Sequence, residues 1–290
     1  MYNNANELKL LCDQQGKKIY EVAIDVEAEN SDCTIKEVRQ KFREAIKTMK
    51  DACSKTLKKE IPSVSGLTSG NAKKLMSYIS KGNTILSADT LKCVAHALSC
   101  FEVNTSMGKI IAAPTAGSCG ILPACIFLTG EKIDADEETL VNAFATAAAI
   151  GLIIEKNATL SGAEGGCQAE CGSASAMAAA AVVEMLGGTI DEALHAGAMT
   201  ITNVMGQVCD PIAGLVEIPC AKRNAIGVVN ALLCADLALA GITCFVPFDE
   251  VIDAMYAVGK ALPPELRETG LGGLAATPTG IAVRKKIFGE

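Results

Sequence analysis

The stretch "GAEGGCQAECGSASAMAAAA", Gly162 to Ala181, runs from a cluster of glycines into a long series of alanines. Glycine frees the backbone for turns, and alanine is the strongest helix former. The pattern predicts a flexible loop feeding directly into a helix, with Cys167 at the junction. A thiol is least needed for packing at such a place, so its presence there calls for a chemical explanation.

The rest of the chain repeats this alternation of apolar helix and irregular loop. "SDCTIKEVRQKFREAIKTMKDACSKTL" carries Ile35, Val38, Phe42, Ile46 and Met49 at helical spacing, and Thr34 with Glu37 forms a capping-box pattern. "EIPSVSGLTSGN", Glu60 to Asn71, is a Ser, Gly and Pro loop in which Asn71 is placed to cap the next helix. This loop divides the chain into a helical N-terminal arm, 1–60, and a larger body, 61–290. Ser87 opens a further helix, after which "TSMGKIIAAPTAGSCGILPA" breaks the periodicity. Helices resume over Asp136 to Glu155, Gln168 to Leu186, Asp191 to Met205, from Asn224 to Leu239, and from Asp249 to Lys260. Only "GKIIAA" and "ITCFVPF" read as short strands, and the tail after Lys260 is rich in Gly and Pro. The expected fold class is all-α, a bundle-like body whose Gly/Pro/Cys loops carry the site.

Composition agrees with that architecture. Half of the 290 residues are hydrophobic but only 4% are aromatic, which suits closely packed helices better than a sandwich of strands. A formal charge of −7 gives no basic stripe for phosphates, so nucleic acid is not an expected partner. The apolar runs Thr139 to Ile154 and Ala225 to Phe248 approach membrane length. The first is too short, however, and the second contains Asn230 and Asp236, so both are expected as buried helices rather than membrane spans. With no basic-then-apolar N-terminal leader and 13 cysteines, reduced thiols and a cytoplasmic location are expected.

Most of those thiols sit within helical or apolar surroundings, where cysteine behaves as a small hydrophobe. Cys119 lies in a Gly/Ser loop, and its context leaves packing and binding both open. Cys167 in "GGCQ", Cys209 in "VCDP" and Cys220 in "IPCAK" each stand beside Gly or Pro where a loop meets a helix. Such settings let thiolates converge, and N–H groups at a helix start favour sulfur charge. Their separations of 42 and 11 positions match neither the short zinc patterns nor the ferredoxin runs, so spacing alone does not assign a metal. Three converging thiolates would have one specific consequence. A [4Fe–4S] cluster normally takes four, so three leave one iron open as a Lewis acid, which is what a dehydratase requires.

Five motifs add a resemblance. "SVSGLTSGNAKKL", "NTSMGKIIAAPTAGSCGILPA", "KNATLSGAEGGCQAECGSA", "VCDPIAGLVEIPCAKRNAIGVVNA" and "LRETGLGGLAATPTG", in that order between Ser63 and Gly280, resemble the α chain of bacterial iron–sulfur-dependent L-serine dehydratases. The resemblance implies a helical catalytic chain that converts L-serine to pyruvate and ammonia, with a [4Fe–4S] cluster on Cys167, Cys209 and Cys220. Family members often carry a small residue where this chain has Cys171, which is therefore taken as packing rather than a fourth ligand. Single-chain relatives fuse a second domain with a Ser-Ser-His-Thr-x-Gly-Pro motif, absent here, and end in a cysteine where this chain ends "KKIFGE". Both departures imply a hetero-oligomer in which a β subunit supplies the missing domain and, with it, the general base. His96 and His195 lie within expected helices and are taken as structural.

Substrate contacts are expected from loops near the cysteines. Thr115 and Ser118 in "PTAGSCG" can offer hydroxyl and N–H groups to a carboxylate. Lys156 and Asn157 could hold substrate charge or simply cap a helix, and Glu164 could position the ammonium or bond the loop. A pyridoxal-phosphate dehydratase is a rival, but "LGGLAATPTG" lacks the strand–loop–helix context that a phosphate loop needs. An iron–sulfur scaffold or redox-sensing subunit is the non-enzymatic alternative.

Overall fold

The computed structural model describes residues 1–289. Among the described residues thirteen α-helices follow one another. The first three, α1 (Ala5–Gln15), α2 (Ile19–Asn30) and α3 (Ile35–Ser54), are the helices of the segment expected as an N-terminal arm. Then come α4 (Asn71–Ile79), α5 (Ala88–Thr105), α6 (Ile121–Lys132), α7 (Glu137–Asn157) and the single turn α8 (Gly162–Gly165). After a π-helical turn at Gln168–Gly172 follow α9 (Ser173–Met185), α10 (Ile190–Asn203), α11 (Cys220–Leu239), α12 (Phe248–Ala261) and α13 (Pro278–Phe288). The fold is all-α: among the described residues the only β pairing is one isolated bridge between Cys209 and Arg267.

The Ala-rich helix is the axis of the molecule. Every residue of α9 from Ser173 to Val183 is buried, and α6, α7, α10 and α11 pack around it. Small side chains allow those neighbours to approach closely, and alanine loses no side-chain entropy when buried. Ile121 and Ile126 of α6, Ile150, Ile153 and Ile154 of α7, and Ile201 of α10 supply the bulk around this thin core. Each such side chain contributes about 1.5–3 kcal/mol when fully buried. One helix, Glu137–Asn157, is long and apolar enough to cross a membrane by composition, and most of it is buried in the bundle.

The arm packs onto this body. Tyr2, Leu8, Ile19 and Ile24 are fully buried in the same apolar cluster as α9. A buried carboxylate makes the tie directional. Glu184, in the last turn of α9, accepts the Ile19 N–H at 2.7 Å and the Thr146 hydroxyl, which pins the start of α2 to α7 and α9.

Most helix limits follow the sequence pattern, including the Thr34–Glu37 capping box and the Ser87 cap. Four details differ. The strand-like runs "GKIIAA" and "ITCFVPF" form no strand and fall in the connections before α6 and α12. Asn71 does not cap α4 with its side chain; the first N–H groups of that helix point at the buried carboxylate of Glu102 instead. Helix α11 begins at Cys220 rather than Asn224, and the Gly/Pro tail contains α13.

Candidate metal centre

The loop before α9 explains the position of Cys167. Gly166 has φ +77, a conformation L side chains rarely adopt, and a Cβ there would stand 2.8 Å from the Gln207 carbonyl. Gly162 has no room for a side chain either: its Cβ would lie 2.6 Å from a Glu170 oxygen and 3.1 Å from the Cys209 sulfur. The glycines therefore let the chain turn tightly against the groups it must meet. The next segment, Gln168–Gly172, is one π-helical turn, a local widening of the kind often found at functional sites.

Gln168 is the splice that holds these loops together. Its side chain donates to the Gly165 carbonyl at 2.9 Å and to the Met255 carbonyl at 3.0 Å, and accepts from the Gly206 N–H at 2.8 Å. Its own N–H donates to the Gln207 carbonyl at 3.1 Å. A second splice fixes the tail: the Cys209 N–H donates to the Leu266 carbonyl at 2.8 Å, and the Glu268 N–H to the Cys209 carbonyl at 2.7 Å. Cys220 is the first residue of α11.

These ties bring together residues that are far apart in the chain. Cys167, Cys209 and Cys220 are all buried, and each lies close enough to the other two for their charges to interact. Cys171 faces Cys167 with the sulfurs 3.4 Å apart. Glu170 lies 4.0 Å from the Cys209 sulfur, and Glu170, Cys209 and Glu268 present donor atoms all within 4.8 Å of one another. Such a group could hold a metal ion. Arg223 completes the centre with a 2.7 Å ion pair to Asp210.

The electrostatics of this group favour an additional positive charge. Burial, reinforced by neighbouring thiol and carboxylate charge, pushes the Cys209 and Cys220 thiols well above the usual range. The hydrogen bond with Cys171 pulls Cys167 down, with further help from Arg223, while Cys171 itself is pushed up. Burial lifts the Glu170 carboxyl to about 7, against the hydrogen bond from Thr115, and burial also raises Glu268. The nearby guanidinium is already paired to Asp210. Thiolates and carboxylates packed this way ionise together only if a cation joins them, so the donor set suits a bound metal group.

Among the expected substrate contacts, the structure brings some to this centre and not others. Thr115 bonds Glu170, and its hydroxyl lies 3.0 Å from that of buried Ser118, so both belong to the wall of the site. Lys156 and Asn157 serve the arm instead: Lys156 Nζ donates to the Tyr2 carbonyl and Asn157 Nδ2 to the Asn3 carbonyl, each at 2.7 Å. Glu164 is exposed on the turn α8. Cys119 packs in the core, 3.9 Å from the Cys100 sulfur. His96, in α5, is half-buried and held below its usual range by that burial, while His195 is part of α10.

Sequence reasoning missed Glu170, Asp210, Arg223 and Glu268. Glu170 left one visible sign, a carboxylate among small residues at the head of a helix with no polar face. Glu217 was missed too; it accepts from Ser65 at 2.7 Å and Thr68 at 3.1 Å, so the "SVSGLTSGN" loop reaches the segment before Cys220.

Comparison with known proteins places this geometry in a family. The family described as serine dehydratase alpha chain matches residues 14–275. The L-serine dehydratase alpha chain of Peptoniphilus asaccharolyticus is 51% identical over 290 residues, covering all of this chain and 99% of that one. The probable L-serine dehydratase alpha chain of Bacillus subtilis is 48% identical over 289 residues, with 100% and 96% covered. The L-serine dehydratase TdcG of Escherichia coli is 41% identical over 182 residues, but these make up only 40% of its length. On this combination of family match, full-length similarity and a buried centre of sulfur and carboxylate donors, the chain belongs to the serine dehydratase alpha chain family.

Proposed function

We propose that this chain is the catalytic α subunit of an L-serine dehydratase, a lyase that converts L-serine to pyruvate and ammonia. In this proposal Cys167, Cys209 and Cys220 hold a [4Fe–4S] cluster. A separate β subunit completes the site, and the enzyme works in the cytoplasm, where thiols stay reduced. The observation that carries the proposal is that three buried cysteines from three separate segments lie near enough for their charges to interact, with carboxylates beside them. When bound, the cluster supplies a Lewis-acidic iron that polarises the substrate C–O bond.

The residues of this chain shape what surrounds that group. Thr115 faces Glu170 from the loop before α6, with Ser118 bonded behind it, and the Thr115 hydroxyl can hold a substrate oxygen. Glu170 and Glu268 offer carboxylate oxygens to the substrate ammonium. Cys171 stands beside Cys167, 3.4 Å from its sulfur, and in this proposal it supports that ligand rather than binding iron itself. The general base comes from the β subunit in this proposal.

The test is anaerobic reconstitution of the chain with ferrous iron and sulfide, with and without a candidate β subunit. Iron content, visible absorption and L-serine-dependent pyruvate are then measured. A brown chain that is inactive alone and active with its partner is the expected result. A yellow protein with aldimine absorption would overturn the iron–sulfur assignment, and a brown protein without turnover beside any partner would favour the redox-sensing alternative.

A further inference from the structure

We propose that Arg223 is a positioning residue that clamps together the three cysteine-bearing segments and, through Nη1, donates a hydrogen bond to the sulfur charge of the loaded centre. The inference rests on the cluster assignment above and goes beyond it by giving a task to a residue that is not itself a ligand.

The clamp is visible in the covalent neighbourhood of each partner. Asp210 directly follows Cys209, and Arg223 lies three positions after Cys220, so it shares a face with that cysteine in the first turn of α11. Asp210 Oδ1 accepts from Arg223 Nη2 at 2.7 Å, and Oδ2 accepts from the Leu274 N–H at 2.8 Å. Both oxygens of the carboxylate are thus used, and the pair is largely buried, with the side chains 12% and 5% exposed. Through this pair the loop of Cys209, the helix of Cys220 and the tail after Glu268 become one unit.

The third segment is where the unfinished bond lies. Arg223 Nη1 is buried and makes no hydrogen bond of good geometry, although the guanidinium lies within interaction range of the Cys167 sulfur. A buried unpaired donor costs the full desolvation of its N–H groups, so its retention points to an acceptor that arrives later. The charges that act most strongly on the guanidinium, besides that of Asp210, are those of Cys167 and Cys220. An anionic sulfur, from a ligand thiolate or from the inorganic sulfide of the cluster, is the acceptor this position favours. Arginine suits the task because its planar fork can engage Asp210 with one nitrogen and a sulfur with the other; lysine, a point charge, cannot hold both in fixed geometry. Outer partners of this kind orient ligands and tune the metal they hold.

The experiment uses the reconstituted α/β enzyme and compares wild type with Arg223→Gln and Arg223→Lys. Two properties other than turnover are read: the rate of iron loss to a ferrous chelator and the midpoint potential of the cluster. Loss of the donor should speed iron release by roughly 10–100-fold in Arg223→Gln and move the potential to lower values, because a positive hydrogen-bond donor favours the more reduced, more negative centre. Arg223→Lys should recover part of the potential but not the retention. If Arg223→Gln keeps the wild-type far-UV circular dichroism together with wild-type iron release and potential, the proposal is overturned. If Arg223→Gln does not fold, Arg223→Lys decides alone: faster iron loss supports the clamp, and unchanged loss overturns it. A wild-type chain that takes up no iron overturns the cluster assignment and this inference with it, an outcome recognisable because wild type itself then stays colourless.

Discussion

Two groups of buried thiols sit in this protein, and they differ in company rather than in burial. One group, Cys53, Cys100 and Cys119, lies where α3, α5 and the loop before α6 meet, and beside it Cys125 points at the Val228 carbonyl. There Cys100 bonds the Cys119 carbonyl at 3.4 Å and stands 3.9 Å from its sulfur. The other group, Cys167, Cys171, Cys209 and Cys220, is equally shielded but is ringed by Glu170, Asp210, Arg223 and Glu268. Thiols whose polar neighbours are only one another and the backbone are packing. Thiols held among buried charges, at the ends of loops spliced together by a glutamine, are arranged for something that is not packing.

Substitutions can break that contrast, and the largest effect belongs to the charged group. Cys167→Ala, Cys209→Ala or Cys220→Ala, each tested in the reconstituted enzyme, should remove the visible cluster absorption and bring pyruvate formation below detection. A full iron complement in any of the three would show that its sulfur is not a ligand. Glu170→Gln comes next. It should leave iron content intact and lower kcat by about 10²-fold, the usual scale for one positioned carboxylate in proton or charge handling. Equal activity of this variant and wild type would remove Glu170 from the site.

The core group should respond on a different axis. Cys100→Ala is expected to keep iron and activity while lowering stability by about 1 kcal/mol, the typical cost of a small core truncation, read as a shift in melting temperature. Loss of iron from this variant would erase the distinction between the two thiol groups. The smallest effect lies at the arm. Burial raises the Glu184 carboxyl above its usual value despite the bonds from Thr146 and Ile19. A carboxyl with a raised folded-state pKa gives its full stability below the unfolded value of 4.5 and loses it as pH climbs toward the folded value. Glu184→Gln should therefore flatten the fall in stability above that point, as seen in chemical denaturation at a series of pH values. A slope identical to wild type would mean that another group causes the fall.

How much of this was legible in the sequence depends on distance along the chain. Helices announced themselves because their signal is local: the spacing of Ile35, Val38 and Phe42, and the caps at Thr34 and Ser87, act within a turn or two. The strand-like "GKIIAA" and "ITCFVPF" misled because a strand exists only with a partner, and no partner can be read from the run itself. Thr115 and Ser118 were marked as site residues by their loop, and Thr115 does reach Glu170 while Ser118 bonds Thr115. Lys156 and Asn157 looked equally suitable, yet the chain's own beginning, Tyr2 and Asn3, occupies them across more than 150 positions. Arg223 and Asp210 were hidden for the same reason, since an ion pair between a loop and a helix start leaves no period to detect.

The placement of α9 carries a consequence for how the protein can change over generations. A helix enclosed on every flank has no outside face on which a larger residue could be absorbed, and its first turn leads into the segment that presents Cys167 and Glu170. A methyl group added to Ala176 or Ala179 would have to displace α7, α10 or α11, and the strain would travel along a rigid rod into the reacting region. Drift in this lineage is thereby steered away from its centre, toward the rims and the arm.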